Sequence, residues 1–139
     1  MSAIHLRYEV PGDDFTRAGE ASGSVKKTLK DLGFSPEITR KVVIALYEAE
    51  INLVIHAGGG EIDVEISPEC ISMVLADQGP GIPDVALAMQ EGYSTAPDNI
   101  RSLGFGAGMG LPNMKRYTDS MEIQSEVGKG TLIVMKVNL

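Results

Sequence analysis

Residues 61–66, Glu61-Ile62-Asp63-Val64-Glu65-Ile66, alternate polar and apolar side chains without a break. Such alternation marks a strand buried on one face. After Pro68-Glu69, a second and more apolar run extends from Cys70 to Ala76. A turn this short joins strands antiparallel, so the two runs predict a hairpin. The pattern recurs over residues 121–127 and 131–137, which flank Gly128-Lys129-Gly130 as a second tight hairpin. Two hairpins exclude a sheet assembled wholly from parallel βαβ crossovers.

The remaining elements are helical, apart from a first strand. Ile4, Leu6, Tyr8 and Val10 share one face of a strand over residues 4–10. A helix is expected from about Phe15 to Leu32, with Val25, Leu29 and Leu32 on its apolar side. It is weakened by Gly19 and Gly23 and ended by Gly33. Ser35-Pro36 opens the next helix, the serine as cap and the proline at the first helical position. That helix continues to about His56, with Ile38, Val42, Ala45, Ala49 and Leu53 at helical spacing, and Gly58-Gly59-Gly60 ends it. A short helix over residues 84–91 and another over 109–119 bracket an irregular, glycine-rich stretch at 92–108. A loop of that length is usually a lid or a binding loop. The order β, α, α, β, β, α, loop, α, β, β predicts an α+β two-layer sandwich. Its sheet is expected to be mixed but largely antiparallel, with the helices on one face.

At 139 residues the chain fits one domain, expected to span residues 1–139. Lys plus Arg number 12 and Asp plus Glu 19, a formal charge of −7. That sign disfavours nucleic acid and anionic membrane surfaces as partners. No stretch approaches the length of a membrane span, and the first residues lack the basic-then-apolar order of a signal peptide. The expected compartment is the cytoplasm. Cys70, the single cysteine, sits in an apolar run and is expected to act as a small buried hydrophobe.

Four groups of residues carry chemistry. Glu48 and Asn52 lie one turn apart on the long helix, so they share a face. A carboxamide oxygen there can ligate Mg²⁺, and a carboxylate beside it can take a proton from an attacking hydroxyl. The spacing alone fits a solvated face better. His56 has a simpler role near a helix C-terminus, where it complements the helix dipole. Asp77-Gln78-Gly79-Pro80-Gly81 ends an apolar strand. A carboxylate there can accept from the exocyclic amine of adenine, and the glycines let backbone approach a ligand closely. An ordinary Asp/Gly turn has the same composition. Glycine occupies every second position from Gly104 through Gly106 and Gly108 to Gly110, and a helix follows. Successive free amides before a helix form an anion site. The run is neither a Walker loop nor a Rossmann fingerprint. Finally, Gly130-Thr131 enters the last strand, where the Thr131 hydroxyl can stand near Asp77.

Taken together, Glu48-x-x-x-Asn52, Asp77-x-Gly79-x-Gly81, Gly104-x-Gly106-x-Gly108-x-Gly110-Leu111 and Gly130-Thr131 resemble the GHKL family of ATPases and kinases. Within it, the chain is similar to the small anti-sigma-factor-type serine/threonine kinases, most of all the RsbT-type switch kinases of bacterial stressosomes. The stretches that carry this likeness are 76–84, 92–95 and 110–116. The resemblance implies the Bergerat ATP-binding fold, with ATP and Mg²⁺ as cofactors. Glu48 would be the general base and Asn52 the metal ligand. Asp77 would bind the adenine amine with Thr131 beside it, and Gly79 and Gly81 would line the base and ribose. Gly104, Gly106, Gly108, Met109, Gly110 and Leu111 would wrap the phosphates as a lid, and Lys115 or Arg116 would reach the phosphates or a partner. The implied substrate is a STAS-domain protein, with a second regulatory protein as a further partner. Monomer and homodimer both stay open. The rival reading is a non-catalytic module, or an anti-sigma factor, that sequesters a regulator. Two departures from the family pattern stand out: residues 96–102 look like an insertion in the lid, and Glu50 occupies a position where small or neutral residues are common. Two residues on from Glu48, Glu50 is expected to face away from the metal site.

Overall fold

The computed structural model describes residues 3–12, 18–56, 58–79, 89 and 110–139. The expected helix over 84–91, apart from Met89, and the glycine-rich stretch over 92–108 lie outside the described residues. Five strands and three helices occupy the rest: β1 (Ile4–Pro11), α1 (Glu20–Asp31), α2 (Pro36–His56), β2 (Gly59–Ile66), β3 (Cys70–Asp77), α3 (Gly110–Arg116), β4 (Ser120–Glu126) and β5 (Gly130–Asn138). The strands form one sheet in the order β1-β2-β3-β5-β4. Every pairing in it is antiparallel, so the mixed sheet expected from the sequence is corrected to a wholly antiparallel one among the described residues. Both hairpins form where the alternation places them.

The inner face of the sheet carries Ile62, Val64, Ile71, Met73, Leu75, Ile133, Met135 and Val137, all buried. The helices cover this face. Helix α2 lies at the centre, with α1 and α3 packed against it and its own Val42, Leu46, Ala49 and Leu53 in the same core. The outer face follows the polar half of the alternation. There Arg7 of β1 reaches Glu61 at 2.8 Å and Asp63 at 3.9 Å across the strand pair. These exposed pairs contribute little to stability. Cys70 begins β3 half-buried beside Ser67, less enclosed than its apolar setting suggests.

Helix α2 starts as its sequence predicts. The Ser35 side chain accepts from the Ile38 N–H at 3.2 Å, and Pro36 is the first helical residue. Helix α1 starts later than expected and ends where expected, at Gly33. It begins at Glu20 rather than near Phe15, because Gly19 adopts φ 99 and breaks the helical path; residues 13–17 lie outside the described set. At its other end Gly33 donates to Lys30 and Phe34 to Leu29, the paired bonds of a Schellman turn. That turn places Leu32 at the cap, 46% exposed, and sends Phe34 against the core in its stead. Helix α3 ends earlier than expected, at Arg116. Asp119 belongs to the sheet margin, where its N–H donates to Lys136 and its carboxylate accepts from the Asn138 N–H at 2.7 Å.

Strand β2 starts within the triple glycine, two residues earlier than the alternation indicates. Gly59 and Gly60 are paired with Pro11 and Val10 of β1. Gly59 has φ 101, and a methyl group there would collide with the Val10 carbonyl. Gly33, at φ 84, has open space around it. The two positions therefore separate backbone strain from crowding. Gly33→Ala should cost about 1–2 kcal/mol, the penalty of the left-handed conformation alone. Gly59→Ala should cost clearly more, because the β1–β2 ladder must also move apart. Urea denaturation of the two variants in parallel checks the order.

Candidate nucleotide site

The topology, rather than local sequence, assembles the site. Strand β5 pairs with β3, and that register sets Thr131 opposite Asp77. Asp77 is the last residue of β3 and lies on the helix-covered face. Its Oδ1 accepts from the N–H of Gly79 at 2.9 Å and of Thr131 at 3.2 Å. One carboxylate oxygen is thus held by two backbone donors, and its orientation is set. The Thr131 hydroxyl, on a residue only 8% exposed, is 2.8 Å from the Ser125 hydroxyl of β4. Gly130, at φ 128, approaches Asp77 so closely that a methyl group would meet its carbonyl. A cleft of about 790 Å³ opens beside Asp77 at the end of the sheet, between Pro11, the glycines 58–60 and Gln78; Glu48, Asn52 and Thr131 do not line it.

Glu48 and Asn52, both half-buried, stand one turn apart on α2 as the spacing predicts. Burial pushes the Glu48 carboxyl above its ordinary value, and a hydrogen bond with the Asn113 side chain of α3 partly offsets that rise. A half-buried carboxyl with a raised pKa and one fixed partner suits a group that exchanges a proton. The sequence singled out residues 110–116 but assigned Asn113 no role. Its contact with Glu48 depends on how α3 lies against α2, which local pattern does not encode. Gly110 opens α3, and the Leu111 side chain, 7% exposed, joins the core. Any contact of Leu111 with a ligand would therefore run through its backbone. Lys115 and Arg116 are exposed at the end of α3. Gly81, Gly104, Gly106, Gly108 and Met109 lie outside the described residues.

Glu50 is the residue that sequence reading under-rated. It does face away from Glu48, yet it is 2% exposed rather than solvated. Its Oε2 accepts from the N–H groups of Gly19 at 3.0 Å and Ala21 at 3.1 Å, and its Oε1 from Ser22 at 3.1 Å. Gly19 has no side chain to cap α1. Glu50 takes over that part from another helix: it accepts the second- and third-position amides as a capping side chain would, and the cap amide as the glutamate of a capping box would. The signal available in the sequence was negative, a helix start at glycine with no local acceptor. Tyr47 lies nearby, with its ring against Gly19. Burial raises its phenol pKa, and the charges of Glu48 and Glu50 raise it further.

The fold and this arrangement define a class. Residues 13–137 match the histidine kinase-like ATPase domain, and the chain belongs to that family. Among its relatives, the serine/threonine-protein kinase RsbT of Bacillus subtilis (strain 168) is 33% identical over 112 residues, 78% of each chain. An anti-sigma F factor of Clostridium beijerinckii is 35% identical over 101 residues, covering 68% of this chain and 67% of that one. A crystal structure of the RsbU and RsbW domains of Rv1364c from Mycobacterium tuberculosis aligns with 99% of this chain and 32% of its own, at TM-score 0.62 and 13% identity. That last likeness is one of fold. The kinase and anti-sigma relatives agree with the resemblance carried by the four motifs.

The raised Glu48 pKa has a consequence for stability. A carboxyl that is harder to ionise when folded weakens the fold once pH exceeds its unfolded value, because the unfolded chain releases the proton first. Glu48→Gln removes that penalty and keeps a partner for Asn113. The variant should melt higher than the parent at neutral pH, and the gain should shrink as pH falls below the ordinary glutamate range. Thermal denaturation across pH checks both the sign and the window.

Proposed function

We propose that the chain is a Mg²⁺- and ATP-dependent serine/threonine protein kinase whose substrate is a STAS-domain protein. The observation that carries the reading is Glu48: a half-buried carboxyl whose pKa is raised by burial, one turn from Asn52 on the same helix. Asp77 is fixed through Oδ1, so its other oxygen can accept from the adenine amine, with the Thr131 hydroxyl beside it. Gly79 and Gly81 would line the base and ribose. Backbone N–H groups along Gly104, Gly106, Gly108, Met109, Gly110 and Leu111 would hold the phosphates.

The residues present fit this cofactor. No group of three or more His, Cys, Asp and Glu among the described residues could hold a metal by itself. A single Asn52 oxygen suits Mg²⁺ that arrives with the nucleotide and keeps its waters. When bound, the ion offsets charge on the phosphate oxygens. Glu48 accepts the proton of the serine or threonine hydroxyl as its oxygen bonds to the γ-phosphorus. The bond from that phosphorus to the β–γ bridging oxygen breaks, and ADP leaves. The phosphorylated partner gains about −1.5 to −2 of charge, enough to alter an interface.

A second reading has its own support, the 35% identity to an anti-sigma F factor. In it the chain holds a regulator, and ATP orders the binding surface. Both readings place the chain in the cytoplasm with at least one protein partner. No helix among the described residues is long and apolar enough to cross a membrane.

Transfer from labelled ATP to a STAS-domain protein separates the two readings. Glu48→Gln should reduce transfer by about 10²–10⁴-fold, the usual worth of a general base, with nucleotide affinity nearly unchanged. Full activity in that variant would refute the base assignment. Asn52→Ala should abolish the gain in ATP affinity that Mg²⁺ confers, as calorimetry with and without the ion would show.

A further inference from the structure

Helix α2 carries the proposed chemistry on one side, so its rotation about its own axis matters. Its apolar residues do not set that rotation well. Buried side chains occur nearly all round it: Val42, Ala49 and Leu53 toward the sheet, Val54 to one side, Ile51 toward the back. Such a helix can turn and still bury apolar surface, because the hydrophobic effect is non-directional. Hydrogen bonds are directional, and α2 has a strong set at Glu50.

At about 100° per residue, Glu48 and Asn52 lie about 40° apart, and Glu50 stands about 160° from each of them. It sits midway between them along the axis, on the opposite side. Its carboxylate binds the backbone N–H groups of Gly19, Ala21 and Ser22 in α1. Across the helix, Glu48 lies on the side that packs against α3, where the Asn113 side chain partly offsets the rise in its pKa. Tyr47, next in sequence, rests its ring on Gly19. Helix α2 is therefore tied on one flank to the start of α1 and on the other to α3.

We infer that Glu50 is a positioning residue: by binding the N-terminus of α1 it fixes the rotation of α2 and so aims Glu48 and Asn52 into the nucleotide site. Glu50 itself touches neither nucleotide nor substrate. The inference rests on the proposed site, but it concerns the geometry of α2 and has consequences that do not require phosphoryl transfer.

Glu50→Gln keeps the size of the side chain and one acceptor oxygen, while its new N–H₂ group faces amides that also donate. The tie loosens and the helices stay packed. Val25→Ala is the control, since Val25 is fully buried in α1 and is not among the residues whose amides bind the Glu50 carboxylate. Each variant is compared with the parent for two quantities, well below its melting temperature. One is the increase in ATP affinity on adding Mg²⁺, read by calorimetry. The other is kcat per nucleotide-binding site in the phosphotransfer assay. Glu50→Gln should lower kcat by about tenfold or more, as small misplacements of reacting groups do, and should erase most of the Mg²⁺ effect. Val25→Ala should leave both close to the parent even where it melts lower. Equal effects from the two variants would reduce Glu50 to a stabilising cap and overturn the inference, as would parent-like values in Glu50→Gln. If Glu50→Gln does not fold, Glu50→Asp, which keeps the charge but shortens the reach, is read by the same criteria. Absence of phosphotransfer in the parent would refute the kinase reading alone, because the Mg²⁺ measurement still decides the role of Glu50.

Discussion

The β3–β5 ladder organises the molecule. These strands are separated in sequence by more than the whole length of the β4 hairpin arm, yet they run side by side at the centre of the sheet. With β5 beside β3, β4 stands at the edge of the sheet, and α3 precedes it on the helical side. The pairing sets Thr131 against Asp77, and through β4 it brings Ser125 to Thr131. The inner residues of β3 and β5 form the floor on which α2 rests. A shift of one residue in that ladder would turn Asp77 and Thr131 to opposite faces, because side chains alternate along a strand.

Helix α2 is the second organising part, and it works through its three sides. Its sheet side is apolar and anchors it. Its α1 side carries Glu50, which completes a helix start that glycine leaves without a cap. Its α3 side carries Glu48 and Asn113 in contact. Two carboxylates two residues apart thus have different environments. Glu50 is enclosed by backbone donors, whereas Glu48 is half-buried with one side-chain partner.

Legibility in the sequence followed the range of the interaction. The alternation in β2, the Ser35-Pro36 start of α2 and the glycine turn between β4 and β5 are set by neighbours a few residues apart, and they were readable. Leu32 and Phe34 were not, because the Schellman turn at Gly33 reverses which of them faces the core. The early start of β2 was hidden as well. Gly59 and Gly60 look like loop, and they fit the strand because Val10 and Pro11 of β1 crowd Gly59 while the Ala76 carbonyl of β3 crowds Gly60. Glu48, Asn52, Asp77 and Thr131 belong to motifs, while Glu50 binds the start of another helix and has no motif of its own.

By itself, then, the amino-acid order determined the elements, the two hairpins and the residue types gathered for a nucleotide. Those properties arise from periodicity and turn chemistry, which act within a few residues along the chain. Tertiary structure alone decided that every strand pairing among the described residues is antiparallel, that Asp77 meets Thr131, and that Glu50 caps the start of α1. Each of these depends on directional hydrogen bonds between segments far apart in sequence. Such bonds exist only after packing has brought the segments together.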